Sequence, residues 1–132
     1  MELKVGFREL VARAEAEIET IDAAQALALT AQPEVVFIDL RDVRELWREG
    51  KIPGAVHVPR GMLEFWIDPE SPYHKPLFAE AHRFIFYCNL GWRSALAAQV
   101  AQVMGLADVC HLGGGFAGWC AAGGAVEAVA RK

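Results

Sequence analysis

Cysteine is scarce in this chain. Three among 132 residues is an odd and sparse set, which argues against a disulfide scaffold and for a reducing compartment, with the cytoplasm as the expected location. Positive charge is not in excess either: 13 Lys and Arg stand against 17 Asp and Glu, for a net charge of -4. That balance leaves no electrostatic footprint for nucleic acid or a membrane surface, so neither is expected as a partner. No apolar run approaches the ~20 residues of a membrane span. The first 19 residues are studded with Glu and Arg where a leader would be apolar. HExxH and GxSxG are absent, and the four histidines, His57, His74, His82 and His111, are scattered. Cys110-His111 with Cys120 lacks the paired CxxC spacing of zinc sites, so no metal and no cofactor is expected. Internal repeats and low-complexity tracts are missing too.

What is present reads as a globular domain. Hydrophobic residues make up 54% of the chain and charged residues 23%, which suits one domain, 1–132, with a sizeable core. One stretch organises the rest, Phe84-Ile85-Phe86-Tyr87-Cys88-Asn89-Leu90-Gly91-Trp92-Arg93-Ser94. An apolar run ends in a cysteine, a short loop with one glycine follows, and an Ala-rich segment runs from Ala95 to Met104. The pattern is strand, tight loop, helix. A cysteine there meets the unpaired N–H groups of a helix N-terminus, with Arg93 nearby, and both favour the reactive thiolate. Cys88 is the candidate nucleophile. The alternative is a buried structural thiol at a strand end.

Taken in order, Leu3, Phe7, Leu10, Val11, Ala14 and Ile18 fall at helical spacing and predict an amphipathic helix over 1–17, packed on the domain's own sheet. Residues 18–21 form a strand candidate. Asp22 and Gln25 carry a capping-box signal for a helix that stops before Pro33. Val35 to Ile38 is a strand apolar on both faces. Asp42 and Glu45 repeat the cap signal for a helix ended by Gly50. A strand over 55–58 closes at Pro59. Residues 60–78 form an irregular excursion holding Pro69, Pro72 and Pro76, which is read equally as a flanking lid or as a surface loop pinned by its aromatics. Further strands are predicted over 82–87 and 108–112, with helices over 95–104 and 116–122, and a loosely ordered or briefly helical tail beyond Gly124.

Alternating strands and helices predict an α/β domain with a mainly parallel sheet. Ligands of such sheets bind at the carboxyl ends of the strands. Asp39, Arg41, Arg60, Cys88 and Arg93 would therefore gather near one edge. Gly113-Gly114-Gly115-Phe116-Ala117-Gly118 satisfies GxGxxG, but only 14 residues follow it. That leaves no room for the second strand and acidic residue of a dinucleotide site, so the glycines are read as a tight turn. Cys110 and Cys120 are read as core thiols, with Cys120 a resolving thiol only if the fold brings it to Cys88. A Cys/His pair would need a histidine beside Cys88, which the sequence does not place.

Four ordered motifs carry a resemblance: Asp39-Leu40-Arg41 with Glu45; Gly50-Lys51-Ile52-Pro53-Gly54-Ala55-Val56-His57-Val58-Pro59; Cys88-Asn89-Leu90-Gly91-Trp92-Arg93-Ser94; and Leu112-Gly113-Gly114-Gly115 with Trp119. The chain resembles a single-domain rhodanese from about residue 18 to 119. The resemblance implies a rhodanese-like α/β fold with a central five-stranded sheet and helices on both faces. It implies a sulfurtransferase in which Cys88 takes sulfane sulfur from a donor such as thiosulfate, becomes a persulfide, and passes the sulfur to cyanide or a thiol. It implies that N–H groups from Asn89 to Ser94 cradle the persulfide and that Arg93 braces the loop by pairing with Asp39. Arg41 and Arg60 are then the candidates for donor binding, with Arg41 ahead because it lies within a matching motif.

Two departures stand out. Lys51 replaces a histidine common in the family, at a structural position. Asn89, Leu90 and Trp92 give the loop less positive charge than thiosulfate-preferring members carry. A low-molecular-weight or protein-borne persulfide is expected to suit such a loop better. Two other classes compete with sulfur transfer: a Cys-dependent phosphatase or arsenate reductase, whose pattern has five residues between Cys and Arg where this chain has four, and an interaction or persulfide-carrier module with little small-molecule turnover.

Overall fold

The middle of the sheet is set by two apolar runs. In the computed structural model, which describes residues 1–132, Val35–Asp39 forms β2 and Arg83–Tyr87 forms β4. They pair in parallel from Val35 opposite Arg83 to Asp39 opposite Tyr87. Val56–His57 (β3) adds to the outer side of β2. Val109–Leu112 (β5) pairs with β4, and Glu19–Ile21 (β1) closes the far edge. The order is β1-β5-β4-β2-β3, and every pairing is parallel.

Period-two alternation divides the core into two layers. Ile38, Leu40, Phe84, Phe86 and Val109 face Ala97, Ala98 and Ala101 of α5 (Trp92–Met104) and Leu63 and Ile67 of α4 (Leu63–Ile67). Phe37, Ile85, Tyr87, Cys110 and Leu112 face Ala26 of α2 (Ala23–Leu29) and Phe116 and Trp119 of α6 (Gly115–Ala121). Each fully buried Ile, Leu or Phe among these contributes about 1.5–3 kcal/mol. The alanines of α5 let the helix lie close to the sheet, as their run suggests. Both capping boxes form, Asp22 with Gln25 on α2 and Asp42 with Glu45 on α3 (Val43–Glu49).

The structure corrects several sequence expectations. The N-terminal helix, α1 (Phe7–Glu17), packs on α5 rather than on the sheet: Val11 and Ala14 bury against Ala95. Helix α5 starts at Trp92, three residues before the Ala-rich run, so Trp92, Arg93 and Ser94 belong to its first turn. Residues 60–78 form a wall, because Leu63, Ile67 and Phe78 are buried in the first core layer. The tail is docked. Lys51 and Glu127 exchange backbone hydrogen bonds at 2.9 and 2.8 Å, and the Trp119 indole N–H donates to the Ala125 carbonyl at 2.8 Å. Cys120 is exposed rather than a core thiol.

Candidate active site

Cys88 follows the last residue of β4 and is almost wholly enclosed. Its Sγ receives the Gly91 N–H at 3.2 Å and lies 3.6 Å from the Ser94 hydroxyl. Gly91 caps α5 at φ 104°, a left-handed conformation that a side chain would resist. The first intrahelical bond of α5 runs from the Ala95 N–H to the Gly91 carbonyl at 3.2 Å. The N–H groups of Trp92, Arg93 and Ser94 therefore have no backbone acceptor, and they form the positive end of a 13-residue helix beside the sulfur.

The other side of the loop is held by α6. The Cys88 carbonyl accepts from the Phe116 N–H at 2.8 Å, and the Asn89 carbonyl accepts from the Ala117 N–H at 3.2 Å. Gly115 makes this approach feasible, since a Cβ there would collide with both carbonyls. With the carbonyls engaged by α6, the loop has N–H groups to present on its other side, where an anion is best received. The glycines read as a tight turn thus seat the loop.

The expected residues are brought together in part. Cys88, Asn89, Leu90, Trp92 and Arg93 line one cavity of about 190 Å³. No residue of the 60–78 excursion lines it. A larger concavity of about 480 Å³ lies at the opposite end of the strands, around Glu34, Arg83 and Asp108, away from Cys88. The cavity mouth is largely apolar: Leu90 and Trp92 are exposed, and Phe7 of α1 packs on Trp92 in a tilted arrangement with ring centroids 4.8 Å apart, with the Arg8 guanidinium over both rings.

Arg93 does not pair with Asp39. Its guanidinium meets Glu45 at 2.7 and 3.2 Å. This pairing holds the Glu45 carboxyl below its usual range and the Arg93 guanidinium above it. Glu45 also accepts the Asp42 N–H at 3.3 Å, so one carboxylate caps α3 and braces the loop.

Asp39 is taken by Arg41 instead, through Nε at 3.0 Å and Nη2 at 2.7 Å. The Tyr87 hydroxyl donates to the same carboxylate at 2.6 Å. Burial first, then Asp39, pushes the Tyr87 phenol far above its ordinary value. Arg41 also donates to the Gly50 carbonyl at 2.7 Å and lies 4.3 Å from the centre of the Phe116 ring. Asp39 and Arg41 have no exposure. Arg41 therefore braces Asp39 from within the core and does not line the cavity. Arg60 is engaged by Glu64 at 2.9 Å and lies outside the cavity lining.

Sequence reasoning missed His111. Register places it opposite Phe86, on the face covered by α5. Its Nδ1 lies 2.9 Å from the Ser94 hydroxyl. The available signal was strand periodicity near the carboxyl end of β5, which aims His111 at the helix carrying Ser94. The partner of Arg93 was missed for a similar reason, since Glu45 already had a role as a cap.

A model of the rhodanese-like domain matches residues 22–122. The chain belongs to the rhodanese-like domain family. Its relatives include the mouse thiosulfate sulfurtransferase/rhodanese-like domain-containing protein 3, 27% identical over 97 residues. That match covers 70% of this chain and 62% of the mouse protein. The human thiosulfate:glutathione sulfurtransferase is 26% identical over 106 residues, 76% of this chain and 91% of that one. A solved structure from Rhodopseudomonas palustris superposes with a TM-score of 0.93 at 50% identity, over 96% of this chain and 98% of that chain. It is described as a protein of unknown function and possible tyrosine phosphatase. Within this rhodanese fold, Cys88 and its loop occupy the carboxyl edge of the parallel sheet.

Proposed function

We propose that this rhodanese-like protein is a sulfurtransferase that carries sulfane sulfur as a persulfide on Cys88. The observation that carries this reading is the Cys88 Sγ held by the Gly91 N–H at the N-terminus of α5. A thiolate there attacks the outer sulfur of a donor. With thiosulfate, a sulfur–sulfur bond forms on Cys88 as the donor's own breaks, and sulfite leaves with that bond's electron pair. The terminal sulfur is then anionic, and the N–H groups of Trp92, Arg93 and Ser94 are suited to receive it. A cyanide or thiolate acceptor removes that sulfur and restores the Cys88 thiolate. No cofactor or metal enters these steps.

The names of the relatives support sulfur donors and thiol acceptors as the substrate class. The apolar mouth at Leu90 and Trp92 favours a persulfide on a small thiol or a protein over thiosulfate. A thiolate nucleophile suits a reducing compartment, and the cytoplasm remains the proposed setting.

The Rhodopseudomonas protein's description gives the phosphatase reading one specific observation. Against it, four residues rather than five separate Cys88 from Arg93, and the Arg93 guanidinium is tied to Glu45. A partner-dependent persulfide carrier differs from the main reading only in its donor.

Steady-state assays of thiocyanate formation, persulfide transfer to glutathione and aryl phosphate hydrolysis separate these readings. Sulfur transfer that vanishes in Cys88→Ser is expected. Phosphate release that depends on Cys88, without sulfur transfer, would overturn the proposal.

A further inference from the structure

Behind Cys88 lies a chain of polar groups that the loop does not explain. The Cys88 Sγ is 3.6 Å from the Ser94 hydroxyl, and that hydroxyl is 2.9 Å from His111 Nδ1. On the far side of the ring, Nε2 is 3.0 Å from the Thr20 hydroxyl and 3.6 Å from a Glu15 carboxylate oxygen. Ser94 and His111 are fully buried, whereas Glu15 is half-exposed. A buried histidine between a thiol's hydroxyl partner and a carboxylate is costly to keep unless every ring position is satisfied, and here both nitrogens are.

We propose that His111 is a positioning residue that accepts the Cys88 proton through the Ser94 hydroxyl, with Glu15 of the N-terminal helix as the counter-charge. The inference rests on Cys88 being the reactive thiol. In the resting form the Cys88 S–H donates to Ser94 Oγ, the Ser94 O–H donates to Nδ1, and Nε2–H donates to Thr20. For activation the Cys88 S–H bond breaks and its electron pair stays on sulfur. That proton passes to Ser94 Oγ while the Ser94 proton passes to Nδ1. The product is a thiolate and an imidazolium, with no change in oxidation state. Ser94 then donates to the sulfur, Nδ1–H donates to Ser94, and Nε2–H faces Thr20 and Glu15. The Cys88–Ser94 and Ser94–His111 hydrogen bonds are retained in both forms with their direction reversed, which is what a relay requires, while Nε2–H donates to Thr20 throughout. The imidazolium then balances the anionic sulfur through attack and transfer.

The surroundings of the ring fit this role. Burial holds the His111 imidazole below its ordinary range, and the Glu15 carboxylate works in the opposite direction. The neutral ring, with Nδ1 at the Ser94 hydroxyl, is the form that can take the proton, and Glu15 offsets part of the cost of charging it. From α1 it is faced by Glu15, from β1 by Thr20, from α5 by Ser94, and through Ser94 by Cys88. Cys110, the neighbour on β5, packs into the opposite core layer. Glu15 and Thr20 lie ahead of residues 22–122, the stretch the family model matches. Helix α1, seated on α5 rather than on the sheet, thereby gains a role in the chemistry of the site.

The test is the rate of iodoacetamide alkylation at Cys88 against pH, read by peptide mass spectrometry on wild type, His111→Gln and Glu15→Gln. In His111→Gln the inflection is expected about one pH unit higher, with alkylation at neutral pH about tenfold slower. Glu15→Gln should move it the same way by less. The reciprocal readout is the imidazole NMR titration of His111 in wild type and Cys88→Ser. Loss of the sulfur should lower the midpoint, because the thiolate no longer favours the imidazolium. This second arm decides the matter if His111→Gln does not fold. Coincident alkylation profiles in folded variants, or an unmoved His111 midpoint, would overturn the relay. Neither readout uses a sulfur donor, so a failed relay leaves the persulfide reading standing, and a wild type that forms no persulfide leaves the relay standing.

Discussion

Arg93 and Glu45, 48 positions apart, form a two-pronged ion pair at 2.7 and 3.2 Å that ties the first turn of α5 to the cap of α3. The Cys88 loop is thus anchored sideways to a neighbouring helix as well as from below.

The pair gives a pH-dependent stability. Glu45 titrates below the 4.5 of a free glutamate, mainly through its hydrogen bond from Arg93. The unfolded chain therefore binds more protons near and below that pH, so the contribution is complete above 4.5 and disappears as pH falls through the lowered folded value. Arg93 is partly exposed and screened, so Glu45→Gln should cost no more than about 1 kcal/mol at neutral pH. Urea midpoints of wild type and Glu45→Gln should converge at acid pH. A gap that persists there would contradict the assignment.

The buried Asp39–Arg41 pair should behave differently. Asp39 and Arg41 are paired with no exposure, so removing one partner strands a buried charge. Arg41→Ala is expected to destabilise by about 3–5 kcal/mol. A guanidinium that bound donor instead would raise KM with little change in the unfolding midpoint. Denaturation and KM for several donors distinguish the two.

Gly115 is the tightest point of the loop's seat. Gly115→Ala combines a φ of 58° with a collision against the Cys88 and Asn89 carbonyls, so both Tm and sulfur transfer should fall sharply. Gly54→Ala has a φ of 77° but open space around the added methyl. It should cost about 1 kcal/mol of strain and leave transfer intact. Equal effects of the two on transfer would mean that Gly115 does not position the loop.

Cys110 and Cys120 should differ in reactivity. Burial pushes the Cys110 thiol up to about 11, so it should resist alkylation near neutral pH, whereas exposed Cys120 should react readily. Cys120→Ser should keep sulfur transfer within about twofold, as expected of an exposed residue that does not line the cavity. Loss of transfer in that variant would restore Cys120 as a resolving thiol. Peptide mapping after brief alkylation gives the order.

Much of the fold was legible because the strands are short apolar runs bounded by Pro, Asp and Gly, and because two capping boxes mark helix starts. Cys88, Gly91 and Ser94 were legible as one loop because they are contiguous. Side-chain partners were not. Asp39 could pair with either of two arginines, and local geometry decides: Arg41, two residues on, reaches back to it, and Arg93 is left to Glu45. His111 was lost among scattered histidines because its meaning depends on the strand register that places it under Ser94. The docking of α1 on α5 was hidden because an apolar stripe does not specify which surface covers it.

The most direct test is intact mass after incubation with thiosulfate and with glutathione persulfide, on wild type and Cys88→Ser, before and after a reductant. The account predicts a gain of one sulfur on wild type only, removed by the reductant. No gain from either donor, or the same gain on Cys88→Ser, would contradict it.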